Sequence, residues 1–300
     1  MTRNDRAGRQ IDRILEDCGL RAASFIVTIY GDVIDPRGGE VWMGNLIATC
    51  AAAGISETLV RTAVSRLVTA GQLSGEREGR RSYYSLTPEA RAEFAQAAQV
   101  LFHPPAAGQT EAWRFVHLGA DAPPSQISLL EAMGFARVGP QLFAGPARGD
   151  GSALPGLVFS ARMPCGAGAP PEALRDFAAA HWDLDRHAAA YARFIGWFTP
   201  LARILEQDGP PGPGTCLTAR LLLVHLFRAV LLRDPRLPGA ALPTDWPGHE
   251  ARRLFSRSYL ALSPGAESAV AADFVTRLGP LPPRTAATLA RAQGLEKAIS

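Results

Sequence analysis

Glu57-Thr-Leu-Val-Arg-Thr-Ala-Val-Ser-Arg-Leu-Val-Thr-Ala70, with Ser56 before it and Gly71 after it, decides how the first third of this chain folds. Serine is a preferred helix N-cap and glycine a preferred helix stop, so the signals predict a helix over residues 57–70. Val60, Ala63, Val64, Leu67 and Val68 recur at helical spacing and form its expected buried face. The other face carries Thr58, Arg61, Thr62, Ser65, Arg66 and Thr69. A solvated helix face usually mixes acids with bases. This one has no acid between Thr58 and Gln72.

The sequence on either side gives that face a setting. Asn45-Leu-Ile-Ala-Thr-Cys-Ala-Ala-Ala53 predicts a shorter helix, and Gly54-Ile55 a tight joint, which together make a helix-turn-helix. Leu73 to Leu86 predicts two strands turning at Glu78-Gly79, with Arg77, Arg80, Arg81 and Ser82 around the tip. One of Tyr83 and Tyr84 is expected to pack inward. Thr87-Pro88-Glu89 opens a further helix to about Phe102, with a cap, a proline at its first position and an acid in its first turn. Helix, turn, helix and an arginine-tipped hairpin are the parts of a winged helix. There the second helix enters the major groove and the wing reaches the backbone or the minor groove. Residues 58–87 hold five arginines and two glutamates, whereas residues 1–100 balance at twelve of each sign. The positive charge is local, as a DNA-binding face requires. Use of the same fold for protein contacts is the competing reading.

The whole-chain figures set the frame. Three hundred residues are about two domain lengths. With 47% hydrophobic and 20% charged residues the chain can bury substantial cores. A net charge of +3 neither demands nor excludes a polyanionic partner. Lys297 is the only lysine among 31 basic residues, a bias that codon usage alone explains. Cys18, Cys50, Cys165 and Cys216 lie far apart, with no CxxC pair and no metal-ligand spacing, which fits a reducing cytoplasm. No run approaches the ~18 uninterrupted apolar residues of a membrane helix, and the N-terminus lacks a secretory h-region. The expected place is the cytoplasm, at the nucleoid, with no membrane partner.

His103 to Gly108 and Pro164 to Pro171 are Pro/Gly-rich and divide the chain into segments 1–104, 105–168 and 169–300. In the middle segment Trp113–Leu118 predicts a strand, Pro124 to Met133 a helix, and 135–138, 141–143 and 157–160 short strands, a small α/β domain. The last segment predicts helices from Pro171 to about Ala180, 185–206, 215–232 and about 247–262, with a kink expected at Pro200. The tail after Pro283 is left between helix and coil. The fold class expected is α+β.

Several stretches resemble the PaaX family of transcriptional repressors: Ser24-Phe-Ile-Val-Thr-Ile-Tyr-Gly-Asp32, Pro36-Arg-Gly-Gly39, Val41-Trp-Met-Gly44, Val60 to Leu67 and Gly79 to Thr87. Leu222 to Arg228, Leu232-Arg-Asp-Pro-Arg-Leu-Pro238 and Asp245-Trp-Pro-Gly248 extend the likeness to the other end. The middle segment matches in its order of elements more than in its residues. The resemblance implies a homodimer on a palindromic double-stranded operator, repressing phenylacetic acid catabolism and released by phenylacetyl-CoA. It also implies a ferredoxin-like middle domain similar to Cas2.

Between Gly214 and Leu260 seven arginines face three acids, beside an apolar helix. Arginine forks suit the phosphates of an acyl-CoA and an apolar slot its acyl group, so Arg220, His225, Arg228, Arg233 and Trp246 are the effector candidates. Arg233-Asp234 could equally tie down the Pro-rich loop 235–247, and His225 could be a core histidine. No catalytic or metal residue is expected and no cofactor beyond the effector. There is no Gly-rich phosphate loop, no Gly-x-Ser-x-Gly elbow and no carboxylate pair. Asp121 in a Gly-Ala-Asp-Ala-Pro turn is ordinary turn chemistry, and His181-Trp182-Asp183 has no nucleophile beside it.

Overall fold

Residues 3–103, 112–148, 151–162, 170 and 172–299 are described by a computed structural model of α+β class. Cys165 and most of both Pro/Gly-rich stretches lie outside the described residues. The chain packs as two units, one of residues 1–104, 194–228 and 251–300, the other of 105–193 and 229–250.

The first unit opens with α1 (Arg3–Cys18), which buries Ala7, Ile11 and Ile14 at helical spacing. Next comes α2 (Ala22–Ile29), which continues through a π turn (Tyr30–Ile34) and a 3-10 turn (Asp35–Arg37) into β1 (Glu40–Trp42). Then follow α3 (Met43–Ala51) and α4 (Glu57–Thr69), joined through Gly54 at φ +77°. The hairpin is β2 (Leu73–Glu78) and β3 (Arg81–Leu86), and α5 (Pro88–Phe102) follows with the Thr87 hydroxyl accepting from the Ala90 amide. The strands form an antiparallel sheet in the order β1-β3-β2, with Val41 opposite Tyr84 and Leu73 opposite Leu86.

The second unit contains β4 (Ala112–His117), α6 (Pro124–Ala132), β5 (Ala136–Arg137), β6 (Leu142–Pro146) and β7 (Leu157–Arg162). Its sheet is antiparallel in the order β5-β6-β4-β7, over a core of Val116, Leu118, Leu130, Phe135, Phe143 and Leu154. After β7 comes α7 (Ala173–His181), where Phe177 and Trp182 pack on Trp113. The Trp182 indole N–H donates to the Gly134 carbonyl at 3.0 Å.

The remaining helices are α8 (Leu184–Asp208), α9 (Pro213–Leu231) and α10 (Gly248–Asp273), followed by the hairpin β8 (Val275–Thr276) and β9 (Gly279–Pro280) and by α11 (Ala286–Glu296). Of residues 169–300, 194–228 and 251–300 pack in the first unit, and 169–193 and 229–250 in the second. The expected end of α10 at Leu262 is corrected: the helix runs through Pro264 because Leu262, Ala266, Ala269 and Val270 keep one buried face across the break. α11 resolves the tail as helix, its start fixed by a Thr285–Thr288 capping box. By length and composition α9 could cross a bilayer, but Cys216, Ala219, Leu221 to Val224 and Phe227 are buried within the fold, as in a core helix.

Candidate nucleic-acid interface

On α4, Val60, Ala63, Val64 and Leu67 are buried, whereas Thr58, Arg61, Thr62, Ser65, Arg66 and Thr69 are exposed. Val68 corrects the sequence expectation. It sits at the edge of the apolar stripe and is 38% exposed, beside the polar face. Ser56 occupies the N-cap with extended backbone but its side chain makes no capping bond. The helix instead carries a Glu57–Arg61 ion pair at 2.7 Å, so the polar face has one acid at its first turn. The Thr62 hydroxyl donates to the Thr58 carbonyl at 2.9 Å, and that of Thr69 to the Ser65 carbonyl at 3.0 Å.

The wing turns through Gly79 and Arg80, with Gly79 at φ +59°, a conformation that favours glycine. Arg77, Arg80 and Arg81 are exposed and Ser82 is half-buried. The Arg77 Nε donates to the Gly79 carbonyl at 3.2 Å, and the Arg81 guanidinium lies over the Trp42 ring at 5.0 Å. Tyr83 is the tyrosine that packs inward, at 5% exposure. The carbonyl of Tyr84 accepts from the Tyr30 hydroxyl at 3.0 Å. The Tyr84 ring crosses Gly75 so closely that a Cβ there would come within 2.6 Å of it.

One cleft of about 440 Å³ brings helix and wing together. Arg61, Ser65, Val68 and Thr69 line it from α4, and Arg77 and Ser82 from the wing. Thr58, Thr62, Arg66, Arg80 and Arg81 do not line that cleft. Sequence reasoning missed Met43, Val68, Gly75, Glu76 and Tyr84 as parts of it. The signal for Gly75 was available, since an isolated glycine inside a strand marks a close approach.

The β8–β9 hairpin lies against β1, and its Arg277 guanidinium contacts Glu40 at 2.7 Å and also reaches Glu76 of β2. Hydrogen bonds to these acids hold the Arg277 guanidinium above its usual pKa. Asn45 of α3 anchors the hairpin, donating to the Asp273 carbonyl at 2.6 Å and accepting from the Val275 amide at 3.0 Å.

The effector candidates do not form one group. Arg220, His225 and Arg228 belong to the first unit, and Arg233 and Trp246 to the second. Arg220 is 1% exposed and its Nε donates to Asp32 at 3.0 Å, so the fork expected to meet a phosphate is spent on a buried carboxylate. Asp32 also accepts from the Tyr259 hydroxyl at 2.9 Å, at the π turn whose carbonyls accept from Arg291. His225 is a core histidine: its Nδ1 lies 2.9 Å from the Thr28 hydroxyl, and burial followed by the charge of Arg228 lowers its pKa to about 4. Arg228 donates to the Ser24 carbonyl at 3.3 Å. In the second unit Trp246 is buried edge-on to Tyr191, and Arg233 is exposed.

Comparison with known proteins matches this architecture to a family. Residues 21–90 match the model described as PaaX-like protein, and residues 182–272 the model described as PaaX-like protein C-terminal domain. The chain is 31% identical over 278 residues to the transcriptional repressor PaaX of Escherichia coli (strain K12), covering 88% of this chain and 87% of that protein. The structure of the uncharacterized protein Rv0674 from Mycobacterium tuberculosis aligns with a TM-score of 0.46 at 24% identity, over 75% of this chain and 89% of that one. Identity maintained along nearly the full length of both repressor and chain, with both family models matched in order, means that the chain belongs to the PaaX-like family.

Proposed function

We propose that this protein is a DNA-binding transcriptional repressor in which α3, α4 and the β2–β3 hairpin act as a winged helix-turn-helix. The observation that carries the reading is the cleft joining Arg61 and Ser65 of α4 to Arg77 and Ser82 of the wing. Arginine forks and short hydroxyl side chains on one helix face suit base edges and phosphates, and a basic wing suits the flanking backbone. The relative's name, transcriptional repressor, supports a regulator rather than an enzyme. By its strand order the second unit serves as the ferredoxin-like, Cas2-like domain, with β6 inserted between β4 and β5.

The protein acts as a homodimer on a palindromic operator of phenylacetate catabolic genes, in the cytoplasm, and phenylacetyl-CoA releases it. Half-site spacing is fixed by the DNA helical turn, so a ligand that favours a dimer geometry a few ångströms off register lowers occupancy. It does so only by its differential affinity for the two geometries. A second reading keeps the architecture and changes the signal to another acyl-CoA or metabolite; the engagement of Arg220 by the buried Asp32 favours it, since that arginine was the expected phosphate contact.

Fluorescence anisotropy on a duplex from the upstream region of its own gene, at fixed salt, tests both readings. Phenylacetyl-CoA, but not phenylacetate or acetyl-CoA, is expected to release the protein. Changing Arg61, Arg66 and Arg81 together to alanine is expected to abolish sequence-preferring binding while the protein stays folded. Retained binding by that variant overturns the assigned face.

A further inference from the structure

The second unit holds a pocket in which arginines outnumber acids. It has a volume of about 310 Å³ and lies between the end of α6 and the loop that follows α9. Three arginines line it, Arg148, Arg233 and Arg236, beside Glu131 and Asp234. Asp234 is already engaged: its Oδ2 accepts from the Tyr191 hydroxyl and its Oδ1 from the Arg236 amide, each at 2.6 Å. We infer that this pocket is a site for an oxyanion, the phosphate group of a small-molecule ligand.

The arginines are arranged as if to meet an acceptor that the protein does not supply. Nη2 of Arg148 donates to the carbonyls of Pro235 and, at 3.3 Å, Arg236, which are neutral acceptors. The Nε of Arg236 is buried and has no hydrogen-bond partner among the described residues. Burial, and then the nearby Arg236 charge, pull the Arg148 pKa down to about 10, and burial lowers that of Arg236. Both remain charged at neutral pH, so two cations sit close together with little water around them. Asp234 is the one carboxylate that attracts both of them, and charge-assisted bonds to an added anion relieve the remaining cost of burying two cations beside one acid. The backbone bears a further cost: Arg236 stands at φ +51°, the one non-glycine residue with positive φ among the described residues. That conformation places Arg236 in the loop that lines the pocket together with Arg148 and Arg233.

Size limits the ligand. The volume is at the low end for small-molecule sites, so the pocket takes a charged end-group rather than a whole coenzyme. Two sources share this chemistry: the phosphates of a coenzyme A thioester and free phosphate. Only the first depends on the effector reading proposed above; the site itself does not.

Isothermal titration calorimetry of the full-length protein with coenzyme A and with inorganic phosphate tests the inference. The variant is Arg233→Gln/Arg236→Gly, chosen because Arg233 is exposed and glycine accepts the positive φ without strain. Circular dichroism checks that it is folded. Wild-type protein is expected to bind at least one of the two probes, and the folded variant to bind it about tenfold or more weakly. Coenzyme A binding lost in the variant identifies the coenzyme as the source, and phosphate binding alone identifies the free ion. An unchanged Kd in the variant, or a wild-type protein that binds neither probe, overturns the site. Operator release keeps the two proposals separable. If phenylacetyl-CoA releases wild type and variant at the same concentration, the effector reading stands and the effector does not act through this pocket, whose own fate rests on the two calorimetric titrations. If the site binds coenzyme A while phenylacetyl-CoA leaves the operator complex intact, the site stands and the effector reading fails.

Discussion

At the scale of single residues, an arginine's role follows from what surrounds its fork, and that is where sequence reading stopped. Arg61 and Arg220 are the same letter. One projects from a short amphipathic helix and the other is held inside the fold on Asp32. Local spacing placed the first. The second depended on a carboxylate 188 residues away in sequence, which no local signal reveals. Removing one partner from a buried ion pair leaves an uncompensated charge. Asp32→Asn is therefore expected to cost roughly 3–5 kcal/mol, measured as a fall in the urea midpoint with an unchanged m-value. His225 makes a pH prediction of definite sign. An unfolded chain protonates this histidine near its ordinary pKa of 6.5, whereas the folded one resists protonation until about pH 4. Its contribution is complete above pH 6.5 and falls as the pH drops towards 4, by up to about 3 kcal/mol in all. His225→Gln should flatten that part of the stability curve; an identical slope in both proteins would refute the assignment.

At the scale of elements, what was legible had local causes. α4, the β2–β3 hairpin and α5 announce themselves through Gly71, Gly79 and Thr87-Pro88, whose conformations are set by neighbours in sequence. β1 and the β8–β9 hairpin do not. They are strands of two or three residues that exist because of distant partners, Ser85 for Glu40 and Arg277 for Glu40 and Glu76. α1 was hidden by its charges, which outnumber the apolar residues it buries. Arg277 neutralises two carboxylates, Glu40 and Glu76, beside the surface proposed to meet phosphates. Arg277→Ala is expected to weaken operator binding several-fold. Adding Glu40→Gln and Glu76→Gln should restore most of it, because the removed acids no longer repel DNA. A triple variant as weak as the single one would mean that Arg277 acts through geometry rather than charge.

At the scale of the whole molecule, the arginines of α4 and the wing predict how binding responds to salt. Each phosphate contact adds about 0.9 to the slope of log K against log salt. A variant lacking Arg61, Arg66 and Arg81 in any residual binding should show a shallower slope than wild type, by about that amount for each of the three that touches a phosphate rather than a base. Titrating the operator between low and moderate salt separates the two kinds of contact. A slope equal to wild type would place all three on base edges.

The first unit is assembled from three separated stretches of chain, and its last stretch is also the last to be made. A ribosome synthesising this protein exposes α4 and the wing long before it releases Tyr259, Arg277 and Arg291, which complete the Asp32 cluster and brace the sheet. The surface proposed to read the operator is thus braced only after residue 291 has been made. A chain cut short before Tyr259 by a nonsense codon carries α4 and the hairpin but none of these bracing residues, and is expected to be cleaved faster by a protease than the full chain.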